Sequence, residues 1–480
     1  MEILIATTEL APFVKVGGLA DVGGALAKAL KGLGHSVTLV LPRFAGFEAG
    51  GLLLARRLTP LKFELGSRAF EATLFDGRLA SQVDLVLVDL PGFFDRPAVY
   101  GERGEDYPDN ALRFAAFSRA VAELVRTRQQ AGAKVDVVHM HDWPTALVAT
   151  YLKALPATDK PLPKTVLTIH NVAHQGVFPK AVFADLGLPE SAFTIEGAEF
   201  YGKVNILKQG IVSADAVTTV SMTYAREIQT PEGGHGLDGV LRARGAKLVG
   251  IVNGVDYAAW NPATDPSIAA RYDALDIAPR ERCRGALRQA LGFSIGEAVP
   301  VVGFVGRLVH QKGIDTLLAA IPRLLVATDA AFVMVGEGDD AQVARIEAEV
   351  KKSHGRVVFV RAASESLVHS IFAGADLICV PSHHEPCGLV QLYAQRYGAL
   401  PVVRATGGLV DTVVDCDAKL ETGTGFVFAE ESPNDLVAAI ERALAARHLR
   451  SWDALMRRVM RLDRGWDRPA RQYEQVFRAV

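Results

Sequence analysis

Short apolar runs, each followed by a longer helical pattern, recur along the whole 480-residue chain. The runs are rich in Val, Ile and Leu and do not alternate with polar residues, which is typical of strands buried on both faces of a parallel sheet. Segments 112–126 and 434–447 are clear helical patterns between such runs. This order of elements predicts an α/β fold built on doubly wound sheets. The predicted strands are 3–7, 37–41, 85–90, 135–139, 165–170, 216–220, 248–252, 301–305, 332–335, 357–360, 377–380, 401–403 and 425–428.

The series of strands is interrupted near residues 253–266. That segment, NGVDYAAWNPATDP, is rich in Pro, Asn and Asp, which is the composition of a linker. A new series of strands begins near Pro300. We therefore expect two α/β domains, followed by a helical stretch at 451–480.

Bulk composition excludes several classes of protein. Hydrophobic residues make up 49% and charged residues 22% of the chain, which indicates a globular protein with large cores. The formal charge is −2, so an anion site has to be local and a general nucleic-acid surface is not expected. The four cysteines are scattered without a C-x-x-C pair, which favours a reducing compartment over a disulfide framework or zinc ribbon. Without a basic signal-peptide region or an apolar run of about 18 residues, we expect a cytoplasmic protein without membrane spans.

A glycine-rich segment, KVGGLAD at 15–21, follows the first predicted strand. Gly17 and Gly18 allow backbone N–H groups to approach a phosphate, the helix start adds partial positive charge, and Lys15 adds a full charge. The alternative is a plain tight turn between strand and helix. The spacing fits neither a dinucleotide fingerprint nor a P-loop. A second GGL-x-D pattern lies at 407–411.

Two segments of the second half place charged side chains directly after strands, where ligands bind in open α/β sheets. In GRLVHQKG (306–313), Arg307 and Lys312 can converge on a diphosphate, Arg through two N–H groups and Lys as a point charge. In PSHHEPCGL (381–389), the Glu385 carboxylate can accept hydrogen bonds from sugar hydroxyls or support positive charge at an anomeric carbon. The alternatives are a solvated loop for the first segment and a helix-start acid, favoured by the helix dipole, for the second.

Polar residues also end three strands of the first half, in HMHDW (139–143), IHN (169–171) and VNGVD (252–256). His139 and His141 share one strand face and could bind a metal with Asp142, but no further His or Cys is placed nearby in sequence. Polar lining for hydroxyl groups is the better interpretation. The single D-x-D, at 415–417, lies within or after a helix and is not expected to hold a metal.

Taken together, these segments resemble the bacterial glycogen synthases and plant starch synthases, glycosyltransferase family 5. The resemblance extends nearly end to end, and its specificity lies in the order and spacing of the motifs. The motifs are KVGGLADV (15–22), HMHDW (139–143), TIHNVAHQG (168–176), VSMTYAREI (220–228), NGVDYAAWNP (253–262), GRLVHQKG (306–313), EPCGLVQLYAQRYG (385–398) and RATGGLVDTV (404–413).

The resemblance implies the GT-B fold, in which two Rossmann-like domains face each other across a cleft. The domains would be 1–255 on the acceptor side, 256–455 on the nucleotide-sugar side, and a helix at 456–480 that returns to the N-terminal domain. The implied reaction is retaining transfer of glucose from ADP-glucose to the non-reducing-end 4-hydroxyl of an α-1,4-glucan such as glycogen or a maltooligosaccharide, with release of ADP. No cofactor and no metal is implied.

The resemblance also assigns roles by motif position. Arg307 and Lys312 would bind the donor diphosphate and stabilise the leaving ADP, Glu385 would hold the hydroxyls of glucose, and His170 would lie near the anomeric centre. Further donor-binding residues would be Lys15, Gly17, Gly18, Asn253, Gly306, Cys387, Gly388, Leu389, Thr406, Gly407 and Gly408. Acceptor-binding residues would be Tyr100, Asp142 and Asn171.

One departure bears on the donor. The family usually has a tyrosine associated with adenine stacking where this chain has Ala363. This departure leaves UDP-glucose open as the donor. Two further alternatives are a retaining GT-B transferase with a small acceptor and a non-catalytic glucan-binding protein.

Overall fold

The computed structural model describes residues 1–102, 104–156, 159–293, 296–338 and 340–480. The strands are β1 Glu2–Ala6, β2 Ser36–Pro42, β3 Leu54–Arg56, β4 Leu61–Leu65, β5 Arg68–Arg78, β6 Asp84–Asp89, β7 Gly101–Glu102, β8 Glu105–Asp106, β9 Val137–His141, β10 Lys164–Ile169, β11 Val177–Pro179, β12 Glu199–Phe200, β13 Lys203–Asn205, β14 Ala216–Thr219, β15 Leu248–Gly250, β16 Val301–Val305, β17 Ala331–Val335, β18 Val357–Val360, β19 Leu377–Val380, β20 Leu400–Arg404 and β21 Phe426–Phe428. Each of the thirteen strands predicted from apolar runs coincides with one of these, within a few residues at the ends.

The α-helices are α1 Gly18–Gly32, α2 Gly46–Ala49, α3 Asn110–Gln130, α4 Val148–Ala154, α5 Ile206–Ser213, α6 Met222–Glu227, α7 Asp238–Arg244, α8 Arg280–Leu291, α9 Ile314–Ala327, α10 Asp340–Lys352, α11 Glu365–Gly374, α12 Val390–Tyr397, α13 Gly407–Thr412, α14 Pro433–Ala446, α15 Trp452–Met460 and α16 Asp467–Ala479. Short 3₁₀ helices cover Trp143–Thr145, Lys180–Leu186, Glu190–Ala192, Gly245–Lys247 and His310–Lys312. Within the described residues, none of these helices combines the length and apolarity needed to cross a bilayer.

The chain forms two compact units. Unit 1 is Met1–Gly254 together with Trp466–Val480, and unit 2 is Val255–Gly465. The sequence-based division placed the last boundary at 455/456. The structural division falls later because α15 packs on α12 of unit 2, whereas the rings of Tyr473 and Phe477 on α16 lie 5.2 and 5.4 Å from His139 in unit 1.

The main sheet of unit 1 has the strand order β15-β14-β10-β9-β1-β2-β6-β5-β3, with β4 paired to β5. The pairs from β15 to β6 are parallel, and β9 is buried along its whole length, because side chains pack on both faces of the sheet. Strands β3, β4 and β5 pair antiparallel. The chain order reverses between β1 and β9, and in sheets of this kind ligands bind beyond the carboxyl ends at that point.

The sheet of unit 2 has the order β18-β17-β16-β19-β20-β21, and all of its pairs are parallel. Its strands form part of one core cluster with helices such as α9, α12 and α14. The chain order reverses between β16 and β19. The two segments that the sequence singled out for charge, 306–313 and 381–389, follow these two strands.

Candidate functional site

The loop after β16 lies close to the loop after β19. Gly313, the residue before α9, has a φ of 68°, and a Cβ there would lie 1.9 Å from the carbonyl oxygen of Pro381. Only glycine permits this approach. The backbone N–H of His383 donates to the carbonyl of Gln311 at 2.9 Å, so the two loops are joined by main chain as well.

This approach brings Lys312 onto Glu385. The Nζ atom of Lys312 lies 2.8 and 2.6 Å from the two carboxylate oxygens of Glu385. The hydroxyl of Ser382 donates to the same carboxylate at 2.8 Å. Glu385 is only 6% exposed, whereas the Lys312 side chain keeps 22% of its surface accessible. The ammonium group can therefore serve an incoming anion while the carboxylate stays fixed.

Arg307 is arranged differently from Lys312. It is exposed at the end of β16, and within the described part of the chain no ion pair involves it. A guanidinium in this position keeps all of its N–H donors for a ligand, and its planar fork matches a phosphate group. The sequence predicted both cations after β16, where the structure has them, but it did not distinguish Lys312, which pairs with Glu385, from Arg307, which has no ion pair among the described residues.

The segment 406–408 adjoins the Glu385 loop. The N–H of Gly408 donates to the carbonyl oxygens of Glu385 and Pro386 at 3.0 and 3.2 Å, and a Cβ on Gly408 would lie 2.2 Å from the carbonyl oxygen of Cys387. The N–H of Thr406 donates to the carbonyl of Arg404 at 2.9 Å. These contacts hold the Glu385 loop in place, and the role of the segment in binding the donor stays a prediction.

The remaining predicted donor residues of unit 2 lie in the same loops. Gly306 directly follows β16, and Cys387 is buried. Gly388 has a φ of 73°, and Leu389 is the residue before the first turn of α12. These loops therefore hold Gly306, Arg307, Lys312, Glu385, Cys387, Gly388, Leu389 and 406–408 in one part of unit 2.

In unit 1, a buried carboxylate organises the glycine-rich segment. Glu9, just beyond β1, is 4% exposed, and one of its oxygens accepts the N–H groups of Val16 and Gly17, both at 2.8 Å. Its other oxygen accepts the hydroxyl of Tyr100 at 3.0 Å. Sequence reasoning missed Glu9. The sequence feature that could have identified Glu9 is its position just after the first strand of a doubly wound sheet, which is where such sheets bind ligands.

Lys15 and Gly17 lie at the start of α1. Lys15 pairs with Asp21 at 2.8 Å and its side chain is 40% exposed. Gly17 is the residue that precedes α1, and Asp21 lies in the first turn of the helix. A Cβ on Gly17 would meet no atom within 4 Å, and its φ of −149° is open to any residue. The fold of unit 1 therefore does not require glycine at this position.

The strand ends of β9 and β10 bring two histidines together. In register, His141 lies opposite Thr168, and its Nδ1 is 2.8 Å from Nε2 of His170. Burial lowers the pKa of His170 to about 3 and holds the pKa of His141 well below its ordinary value. The pair is therefore neutral, with one ring donating to the other. His139, whose pKa is lowered to about 3 by burial and then by the neighbouring His170, bonds Thr168 at 2.6 Å instead.

Asp142 follows β9 with a φ of 57° and a ψ of −177°, a backbone conformation that residues other than glycine rarely adopt. Its carboxylate accepts the N–H of His170 at 2.7 Å. Burial raises the pKa of Asp142 to about 7, although the N–H groups of His170 and Asn171 favour its ionised form. Asp142, His170, Asn171 and Tyr100 thus surround the polar end of the unit 1 sheet, and burial followed by the charge of Glu9 raises the pKa of the Tyr100 phenol well above its usual range.

Asn253 lies beyond β15 at the same end of the sheet. It is 6% exposed, and its side-chain oxygen has no hydrogen-bond partner among the described residues. Buried polar atoms are normally satisfied, so an orphaned one near strand ends indicates a place for a ligand.

The D-x-D segment has a structural use. Asp415 binds Arg442 through both oxygens, at 2.7 and 2.8 Å. Asp417 accepts N–H groups of the following turn, including that of Lys419 at 2.8 Å. Both carboxylates are thus committed to local protein contacts.

Two ranges of the chain match models of known protein families. Residues 2–243 match the family model described as the starch synthase catalytic domain, and residues 292–453 match glycosyl transferases group 1. The glycogen synthase of Anaeromyxobacter sp. (strain Fw109-5) is 44% identical over 100% of this chain and 99% of its own length. Glycogen synthase 2 of Geobacter sulfurreducens is 42% identical over 100% of this chain and 98% of its own length.

The structure of this chain is also similar to solved structures. The catalytic domain of starch synthase IV from Arabidopsis thaliana, bound to ADP and acarbose, superposes with a TM-score of 0.89 at 33% identity, covering 100% of this chain and 99% of that one. Sucrose-phosphate synthase from Thermosynechococcus elongatus shares the fold with a TM-score of 0.61 at 18% identity, covering 100% and 98% of the two chains. Two Rossmann-like units with these matches define a glycosyltransferase of the GT-B class. Within that class, the chain belongs to the glycogen and starch synthase family.

Proposed function

We propose that the chain is a hexosyltransferase that transfers glucose from ADP-glucose to the non-reducing-end 4-hydroxyl of an α-1,4-glucan, with retention of configuration and release of ADP. The observation that carries this proposal is the likeness to glycogen synthases over the whole length of the chain. It is supported by the pairing of Lys312 with Glu385 at the point where the strand order of unit 2 reverses.

Unit 2 acts on the leaving group. Departure of ADP places negative charge on its diphosphate, and fixed cations stabilise that charge without reorganising. Arg307, which is exposed and unpaired among the described residues, supplies a bidentate guanidinium, and Lys312 supplies a point charge. The 2.6 Å contact with Glu385 keeps the Lys312 ammonium in place before the donor arrives.

Glu385 holds the sugar. Its carboxylate is buried and is fixed by Lys312 and by the Ser382 hydroxyl. A carboxylate held in this way accepts hydrogen bonds from glucose hydroxyls and favours the positive charge that develops at the anomeric carbon. Its anchoring contacts reduce the conformational entropy lost when the sugar binds.

Unit 1 supplies neutral polar groups. Because burial lowers the pKa of His170 to about 3, its imidazole is uncharged at neutral pH and can exchange hydrogen bonds with a hydroxyl without placing a cation beside the anomeric carbon. Lys15, Gly17, Gly18 and Asn253 are proposed to contact the donor. Tyr100, Asp142 and Asn171 are proposed to contact the acceptor glucan.

The transfer step is proposed to need no metal. Arg307 and Lys312 carry the neutralising charge that a divalent ion carries in other transferases, and both carboxylates of the D-x-D segment are held by protein groups. The metal-stripped chain is therefore expected to transfer glucose.

A second candidate donor is UDP-glucose, and the observation that favours it is Ala363. This small residue follows β18 and packs partly buried against the core of unit 2, and the segment 361–364 offers no aromatic ring for adenine.

The test is a comparison of radiolabelled glucose transfer from ADP-glucose and from UDP-glucose onto glycogen and onto small sugars. We expect faster transfer from ADP-glucose onto glycogen. Faster transfer from UDP-glucose, or onto small sugars alone, would replace the proposal, and glucan binding without ADP release would identify a non-catalytic protein.

A further inference from the structure

Two histidines and a glutamate converge beside the Lys312–Glu385 pair. One ring nitrogen each of His310 and His383 and a carboxylate oxygen of Glu431 all lie within 4.8 Å of one another. His310 begins the 3₁₀ helix after β16, His383 lies in the loop after β19, and Glu431 lies between β21 and α14. Throughout the described ranges, no other trio of His, Cys, Asp or Glu side chains meets this criterion.

The buried member of the trio, His383, is held between two carboxylates. Its Nε2 lies 3.0 Å from Oδ1 of Asp315 and its Nδ1 lies 2.6 Å from Oε1 of Glu431, while its side chain is 4% exposed. The Nε2 contact is a hydrogen bond, but Nδ1 makes no hydrogen bond of acceptable geometry with any described residue. When Nε2 carries the proton, Nδ1 presents a lone pair to a carboxylate oxygen. Two electron pairs at that distance repel unless a proton or a metal ion is shared between them.

The side-chain chemistry fits a borderline transition metal. Two imidazole nitrogens and one carboxylate form a tetrahedral zinc set with a fourth position left for water. Histidine ligands of such sites donate their other ring N–H to a carboxylate, which fixes the tautomer, and Asp315 occupies that position toward His383. We propose that unit 2 binds a Zn²⁺-class divalent ion through His310, His383 and Glu431, with Asp315 orienting His383.

The surroundings allow an ion to enter and hold its ligands. The side chains of His310 and Glu431 are 75% and 47% exposed, so the ion has access from solvent. The backbone of His383 is fixed on both sides, because its N–H donates to Gln311 and its carbonyl accepts from Arg404. The guanidinium of Arg404 lies 4.0 Å from Glu431 and offsets part of the negative charge of the trio.

The ion clamps the loops that carry the proposed catalytic charges. His310 precedes Lys312 by two residues, and His383 precedes Glu385 by two residues. A metal bound to both histidines therefore restrains both partners of that ion pair without contacting them. The clamp does not depend on glucosyl transfer and is separate from the metal-free transfer step proposed above.

The test is a titration of the untagged, metal-stripped full chain with Co²⁺, followed by visible absorption. We expect the intense d–d bands of tetrahedral Co²⁺, saturation at one ion per chain, and displacement by Zn²⁺. His310→Ala and Glu431→Gln change exposed side chains and should abolish the bands. Asp315→Asn should weaken affinity by about 10- to 100-fold, as loss of a carboxylate behind a histidine ligand does. His448→Ala, which removes an exposed histidine outside the trio, is the matched control and should bind as the wild type does.

A second readout is thermal stability. Zn²⁺ should raise the Tm of the wild type and of His448→Ala but not of His310→Ala, because a ligand that binds the native state stabilises it. The proposal is overturned if Co²⁺ gives no tetrahedral bands, or if His310→Ala and Glu431→Gln bind as the wild type does.

Discussion

Lys312 Nζ contacts both carboxylate oxygens of Glu385, at 2.8 and 2.6 Å, although 73 residues separate them in sequence. The contact joins the cation proposed for the nucleotide phosphates to the carboxylate proposed for the sugar. Because Glu385 is buried and also bound by Ser382, the ammonium must be shared with an incoming donor rather than released from the carboxylate. The two side chains are thus expected to act as one unit.

Lys312→Ala should lower kcat by about 10²–10³, the scale of losing one preorganised charge-stabilising donor. It should also lower the Tm, because the Glu385 carboxylate loses its cation while it remains buried. Steady-state kinetics and thermal melts measure both effects. In a cycle with Glu385→Ala, the double variant should lose much less than the product of the two single losses. If the loss of kcat in the double variant equals the product of the two single losses, the two residues act independently.

Arg307→Ala should give a similar loss of kcat with an unchanged Tm, because the side chain is exposed and the described structure shows no ion pair for it. Arg307→Lys should recover part of the rate, since it keeps the charge but not the bidentate geometry. Arg271→Ala removes another exposed arginine of unit 2 and serves as the control, with wild-type kinetics expected. Wild-type kinetics for Arg307→Ala would remove the role proposed for it.

Glu9→Gln should raise the KM for the nucleotide sugar by about tenfold, with a smaller change in kcat. The variant weakens charge-assisted bonds to the N–H groups of Val16 and Gly17, each worth about 1.5–3 kcal/mol, and so loosens the segment that carries Lys15. Tyr100→Phe removes the hydroxyl that donates to Glu9 and that also bonds the Thr8 hydroxyl at 2.8 Å, and it should have a smaller effect on the same KM. An unchanged KM in Glu9→Gln, with the Tm of the variant intact, would show that the buried carboxylate serves the fold alone.

Gly313→Ala should lower both activity and stability, since the new Cβ would lie 1.9 Å from the Pro381 carbonyl and the residue has a φ of 68°. The two loops would have to separate, and Lys312 would leave Glu385. Gly285→Ala, inside α8 with no atom within 4 Å of the added Cβ, is the matched control and should stabilise by about 0.5–1 kcal/mol. If Gly313→Ala and Gly285→Ala had the same Tm and the same kcat, the close approach of the two loops would be contradicted.

The fold was largely predictable because buried parallel strands are continuous apolar runs. The antiparallel strands β4 and β5 were not predicted. β4 alternates between buried and exposed residues and so lacks the continuous apolar run of a buried parallel strand. Lys312 and Glu385 could each be predicted from their place after a strand. Their pairing could not, because it depends on the approach of Gly313 to Pro381 across the sheet. The position of Glu9 after the first strand could have marked it, but its bonds to the N–H groups of Val16 and Gly17 could not be predicted, because they depend on how that segment folds back.

Asp142→Asn should change the dependence of stability on pH. Burial raises the folded-state pKa of Asp142 from 3.8 to about 7, so the native state keeps a proton that the unfolded state releases. The wild type therefore loses stability as the pH rises from about 4 to about 7, and the loss levels off above that range. Asn cannot ionise and has nearly the shape of Asp, so the Tm of the variant relative to wild type should rise across the same range. A constant difference in Tm from pH 4 to 8 would show that Asp142 titrates normally.

The proposed function is tested most directly by measuring ADP release and glucan elongation together, with ADP-glucose and a maltooligosaccharide as substrates. The wild type should release one ADP for every glucosyl unit added in α-1,4 linkage, and Lys312→Ala should lower both rates by the same factor. ADP release without elongation, or elongation that Lys312→Ala leaves untouched, would contradict the account.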